Sequence, residues 1–134
     1  MDIDDQVLRR LIKVYKLLQH EGGQVSFMKS AGPGIGKERI LLIISENEDI
    51  SLKDLAEKAA ISKVTALEHI KKLEGYVERK TVKNHYVFSL TPEGEALVDE
   101  LRPNRRAYLN KCFANLDYIE KSTLNTLLGK LLVR

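Results

Sequence analysis

A mainly α-helical domain with one small β-hairpin is the fold class the sequence predicts, and three stretches carry that prediction. The segment SLKDLAEKAAISKVTALEHIKKLEG, residues 51–75, reads as two short amphipathic helices joined by a very tight turn. YVERKTVKNHYVFSLT, residues 76–91, follows with strand-type runs on either side of a Lys-Asn tip. Both ends of the chain carry apolar residues at helical spacing. The expected architecture is a winged helix-turn-helix flanked by N- and C-terminal helices.

Near the N-terminus, DIDDQVLRRLIKVYKLLQHEGG sets Val7, Leu11, Val14 and Leu18 on one helical stripe, widened by Ile3, Leu8, Ile12 and Tyr15. Acids open this helix, and Gly22-Gly23 is its expected stop. So wide an apolar face either packs on its own domain or is buried between two subunits. The matching character of the C-terminus favours the second.

Residues 30–38, SAGPGIGKE, invite comparison with a phosphate-binding loop, which requires G-x-x-x-x-G-K-[ST]. Counting back from Gly36-Lys37, the first glycine position is Ala31, and the hydroxyl position is Glu38, a carboxylate that repels phosphate. The stretch is therefore read as a connection in which the glycines permit a turn and a close backbone crossing. ERILLIISEN then reads as a short buried helix and NEDIS as the turn that closes it.

In the helix-turn-helix, Ser51 is the expected N-cap with Asp54 at N3, and Leu52, Leu55, Ala56 and Ala59 form the apolar face. Ala60-Ile61 makes the turn, Ile61 plugging the gap between the helices. Ser62 caps the second helix, in which Ala66, Ile70 and Leu73 repeat at four and three, and Gly75 ends it. Tyr86, Phe88 and Leu90 are expected to alternate onto one face of the hairpin. Beyond it, Thr91-Pro92 is a good helix start, Pro103 is expected to break or kink that helix, and two further helices are read from Leu109, Cys112, Phe113 and Leu116 and from Leu124, Leu127, Leu128 and Leu131. Cys112 is expected to be buried as a small hydrophobe.

The order of elements resembles the MarR family of dimeric winged-helix transcription regulators. The resemblance rests on LKDLAEKAAISKVTALEHIKKLE and on GYVER followed by VFSLTPEGEAL, and extends more loosely to both termini. It implies a single domain, 1–134: residues 1–35 as a dimerisation helix with its connection, 36–91 as the winged helix-turn-helix, and 92–134 as C-terminal dimerisation helices. It also implies double-stranded DNA as partner, a homodimer on a pseudo-palindromic site, and a small-molecule effector bound between dimer platform and winged helix. Tyr15, Phe27, Met28 and Arg39 lie in the segments flanking that crevice.

Helical rotation opposite the line of Ala66, Ile70 and Leu73 puts Val64, Glu68 and Lys71 on the reading face, with Thr65 and Lys72 beside them. Ser62 and Lys63 at the helix start suit phosphate or base contact, Lys71 and Lys72 phosphate, Thr65 a base edge, and Val64 a thymine methyl. Glu68 stands where the family often has Arg. A carboxylate there accepts from cytosine N4 or weakens binding. The wing offers Lys83 and Asn84, with Arg79 and Lys80 behind, and is shorter than the family's. An alternative follows from these departures: a winged helix used as a protein-interaction module.

Composition narrows the remaining classes. The chain is 43% hydrophobic and 31% charged with a net charge of +3, an ordinary globular balance that does not itself demand nucleic acid. One cysteine excludes an intrachain disulfide, and no apolar run reaches membrane-spanning length, so a cytoplasmic protein is expected. His20, His69 and His85 are too scattered for a metal site, and no nucleophile stands at recognisable spacing from a base. No enzyme activity, metal or cofactor is expected.

Overall fold

The computed structural model describes residues 2–24 and 35–133. In chain order the elements are α1 (Ile3–Gln24), α2 (Ile35–Glu46), β1 (Ile50–Ser51), α3 (Leu52–Ala59), α4 (Lys63–Lys72), β2 (Val77–Val82), β3 (His85–Leu90), α5 (Pro92–Cys112) and α6 (Tyr118–Leu132). The three strands form one antiparallel sheet in the order β1-β3-β2. The tiny strand β1 pairs Ile50 with Phe88 where the sequence pattern predicts only a turn. Two residues carry no periodicity, so only their pairing with β3 makes them a strand.

The core lies inside the winged helix. Ile40, Leu41, Leu42 and Ile44 of α2 meet Leu55 and Ala59 of α3, Leu73 after α4, Phe88 of β3, and Leu97, Val98 and Leu101 of α5. The second helix is thus apolar nearly all round, which is why it reads as buried without a clear stripe.

Capping follows the sequence closely. The Ser51 hydroxyl accepts from Asp54 N at 3.1 Å, and Ser62 accepts from Thr65 N at 3.1 Å. Between α3 and α4, Ala60 takes a left-handed conformation (φ 57°), and Ile61 N donates to Ala56 O at 3.1 Å, closing α3 before the chain turns. Ile61 packs against the core, as expected of the turn plug. α4 ends at Lys72 with Leu73 as its C-cap, and Gly75 (φ 92°) serves the following turn instead of stopping the helix directly. At Lys83-Asn84 both residues have positive φ, 49° and 66°, the conformation a two-residue hairpin loop requires.

Four further expectations need correction. The first helix continues across Gly22-Gly23 to Gln24, because glycine weakens a helix without forbidding it. Likewise α5 runs unbroken from Pro92 to Cys112 through Pro103, so the stripe at Leu109 and Cys112 belongs to its last turns and not to a separate helix. The loss of one N–H there is outweighed by continuous packing of the N-terminal half against α2 and the sheet. On β3, Phe88 is buried but so are Val87 and Ser89, while Tyr86 is 56% exposed; helices cover both faces of the sheet near its root, and neither at the tip. Cys112 is only half-buried.

The wing is anchored where β3 meets α5. Thr91 Oγ1 donates to Gly75 O at 2.7 Å and accepts from Gly94 N at 3.1 Å, while Thr91 N donates to Tyr76 O at 3.0 Å. One residue therefore caps α5 and ties it to the turn before β2. The termini contrast with this compact unit. Tyr108 Oη of α5 donates to Leu18 O of α1 at 3.1 Å, but residues 2–17 are all exposed, including Ile3 at 65% and Leu17 at 56%. α6 opens on a reciprocal cap between Asp117 and Glu120, yet every residue of it is exposed, with Leu127, Leu131 and Leu132 on its surface.

Candidate nucleic-acid interface

Burial of Ala66 and Leu73, with Ile70 packed on the core, fixes the rotation of α4. Lys63, Val64, Glu68, Lys71 and Lys72 consequently face solvent, and Thr65 is half-buried at the edge. Val64 is 69% exposed, an apolar side chain on an otherwise polar face. Ser62 is committed to the helix start: its hydroxyl accepts from Thr65 N and donates to Thr65 Oγ1 at 3.0 Å. That leaves the Thr65 hydroxyl proton available to a ligand.

The two faces of the sheet separate the wing residues. Arg79 and Tyr86 share the face toward α4, with the Arg79 guanidinium 4.2 Å from the Tyr86 ring centroid, a cation–π contact that extends and steadies the arginine. Between this face and α4 runs a groove lined by Ile70, Lys71, Glu74, Arg79 and Phe88 among others. Lys80 projects from the opposite face, where its Nζ lies 3.5 Å from Glu78 and 4.0 Å from Asp49. The structure thus brings Lys71 and Arg79 together and sets Lys80 apart from them. Lys83 and Asn84 occupy the exposed tip. Lys63, Lys71, Lys72 and Arg79 hold no carboxylate partner among the described residues.

Lys80 belongs instead to an open cleft of about 400 Å³ on the far side of the sheet, bordered by Glu48, Glu78, Glu95 and Asp99, with Arg102 donating to Ser45 Oγ at 3.2 Å. Positive charge gathers around α4 and negative charge behind the sheet.

Two residues near α4 escaped the sequence reading as parts of the site. Tyr86 was assigned to the apolar side of the hairpin; its alternation with Phe88 already placed it on Arg79's face. Lys37 was set aside with the failed phosphate loop. It lies in the first turn of α2, beside Gly36, which packs against His69 of α4. The His69 imidazole is held below its usual pKa, first by burial, then by the positive charges of Lys37 and Lys72, with Glu68 opposing and Arg39 adding to the depression. Of the residues proposed to flank an effector crevice, Tyr15 is 61% exposed on α1 and Arg39 is exposed on α2, while Phe27 and Met28 lie outside the described residues. No group of three His, Cys, Asp or Glu side chains among the described residues is arranged to hold a metal.

The helix pair, the supporting α2 and the hairpin define a winged helix-turn-helix, and residues 37–75 match the family model described as winged helix-turn-helix DNA-binding. No curated protein matches the sequence significantly. Solved structures extend the likeness to nearly the whole chain. A MarR/EmrR family transcriptional regulator from Acinetobacter sp. ADP1 superposes with a TM-score of 0.84 at 22% identity, covering 98% of this chain and 95% of that one. BpsR of Bordetella bronchiseptica, in a structure concerned with regulation of its DNA binding by 6-hydroxynicotinic acid, gives 0.80 at 23% identity over 94% and 98%. A MarR transcriptional regulator from Methanosarcina mazei Go1 gives 0.75 at 22% over 98% and 89%. The chain has the MarR-type fold, termini included. No helix among the described residues is long and apolar enough to cross a membrane.

Proposed function

We propose that the protein is a non-enzymatic, DNA-binding transcription regulator that acts as a homodimer on a pseudo-palindromic site. The observation that carries this reading is the outward face of α4: Lys63, Lys71 and Lys72 are exposed around Val64 and Thr65, and Arg79 of the wing stands across the groove from Lys71. Lysines on both sides of a helix suit phosphate, whereas Val64 and Thr65 suit base edges. Ser62, Lys83 and Asn84 complete the proposed contact set, and Lys80, held by Glu78, supports it from behind the sheet. Glu68 is assigned to a cytosine.

A second copy of the chain is the proposed cover for the exposed apolar faces of α1 and α6. A pair of winged helices must then present its two α4 helices about 34 Å apart, one DNA turn. Because BpsR, a protein of the same fold, has its DNA binding regulated by 6-hydroxynicotinic acid, a small-molecule effector is proposed here too, at the junction of the helical termini and the winged helix.

Selection of bound genomic fragments by the purified protein, with its mass measured in solution, tests the reading. Recovered fragments should share a two-fold site, binding should weaken steeply with salt, and Lys71→Glu should abolish it. Exposed Glu68 favours one other reading, a protein-interaction module; no retardation of any fragment at low salt would overturn ours and argue for that one.

A further inference from the structure

The recognition helix has two flanks, and the wing is only one of them. On the other, Thr65, His69 and Lys72 follow at spacings of four and three, forming one stripe of α4 turned toward α2. Gly36 admits this stripe: a methyl group on it would come within 3.2 Å of His69 Cε1 and 3.3 Å of Nε2. Lys37, half-buried, and Arg39, exposed, follow Gly36 in the first turns of α2. The positive charges of Lys37 and Arg39 on α2 and of Lys72 on α4 all act against protonation of this half-buried imidazole, with Glu68 opposing them. Glu38, the next carboxylate of α2, is fully buried. Like charges gathered at one junction repel each other unless an anion joins them.

We propose that this α2–α4 junction is a second DNA-backbone contact, in which Lys37 and Lys72 bind phosphate and His69 joins them when protonated. It rests on the reading of α4 as a DNA-recognition helix, and widens the interface to the side away from the wing. In the free protein the cations oppose protonation of His69; an arriving phosphate reverses that balance, so binding takes up a proton. Affinity then rises as pH falls, by up to about tenfold per pH unit for each proton taken up, one per subunit. Lys37, unused by any nucleotide loop, acquires a phosphate after all, on DNA.

The test measures fluorescence anisotropy of a labelled duplex of about 30 base pairs, three helical turns, across salt and pH. Lys37→Gln and Lys72→Gln should each weaken binding and lower the slope of log affinity against log salt by about 1.8, the value for two phosphate contacts, one from each subunit of the proposed dimer. Wild type should bind more tightly at pH 6 than at pH 8, His85→Gln should keep that response, and His69→Gln and His69→Asn should lose it. Matched melting curves separate these effects from unfolding, and the pH profile is independent of any packing loss at His69. Unchanged salt slopes in both lysine variants, or a pH response that survives in both His69 variants, would overturn this inference while leaving DNA binding in place. A wild-type protein that binds no duplex at low salt would overturn it together with the proposed function.

Discussion

Among single residues, Gly94 shows how little room the wing anchor has. A Cβ there would overlap the carbonyl oxygen of Tyr76, which is itself held by Thr91 N. Backbone cannot step aside as a flexible side chain can, so Gly94→Ala should destabilise the fold by about 1–3 kcal/mol, readable as a lower urea midpoint. His69 makes a different prediction. Its pKa is lowered in the folded state, so below pH 6.5 the unfolded chain binds more protons, and stability falls as pH drops until both states are protonated. Between pH 7.5 and 5.5 the wild type should lose more melting temperature than His69→Gln; equal losses would show that the imidazole is not held neutral by its neighbours.

At the scale of an element, the hairpin carries an unfavourable residue at its own tip. Its two-residue loop needs positive φ at both positions, which Asn-Gly supplies with little strain; here Asn84 suits its position and Lys83 does not. Replacing Lys83-Asn84 by Asn-Gly should raise stability by about 1 kcal/mol. If the tip touches DNA as proposed, the same pair of substitutions should weaken binding, so stability and affinity should move in opposite directions. A tip that gained stability and kept full affinity would confine recognition to α4 and Arg79.

For the whole molecule, the decisive contrast is between a packed winged helix and termini whose apolar residues lie outside. Leu8 is 55% exposed on α1, and Leu127 and Leu131 are 52% and 53% exposed on α6. Water contact at so many large side chains is unfavourable by about 25 cal/mol per Å², and a second copy is the proposed remedy. Leu8→Asp combined with Leu131→Asp should convert a dimer to a monomer by light scattering, with the near-native circular dichroism of an intact winged helix. DNA affinity should fall with it, because one α4 reads only half a site. Charge follows the same division: cations gather around α4, while Glu48, Glu78, Glu95 and Asp99 line the back of the sheet. That polarity suits the proposed DNA partner although the net charge is only +3.

Sequence by itself determined the local parts of this protein. The caps at Ser51, Ser62 and Thr91, the helix-turn-helix, the hairpin tip and the outward face of α4 all follow from hydrogen bonding and periodicity within a few residues. It also determined that the termini are amphipathic. Tertiary structure decided what depends on distant neighbours. Ile50-Ser51 is a strand only because β3 lies beside it, α5 passes through Pro103 because its first half is packed, and Lys80 is turned from Arg79 by the pleat of the sheet and its pairing with Glu78. The Gly36-Lys37 pair is the clearest case. The residues at its fixed positions, Ala31 and Glu38, ruled out a nucleotide loop, but only the packing of Gly36 on His69 brought the start of α2 beside α4, since no local pattern encodes which helix a glycine lets in.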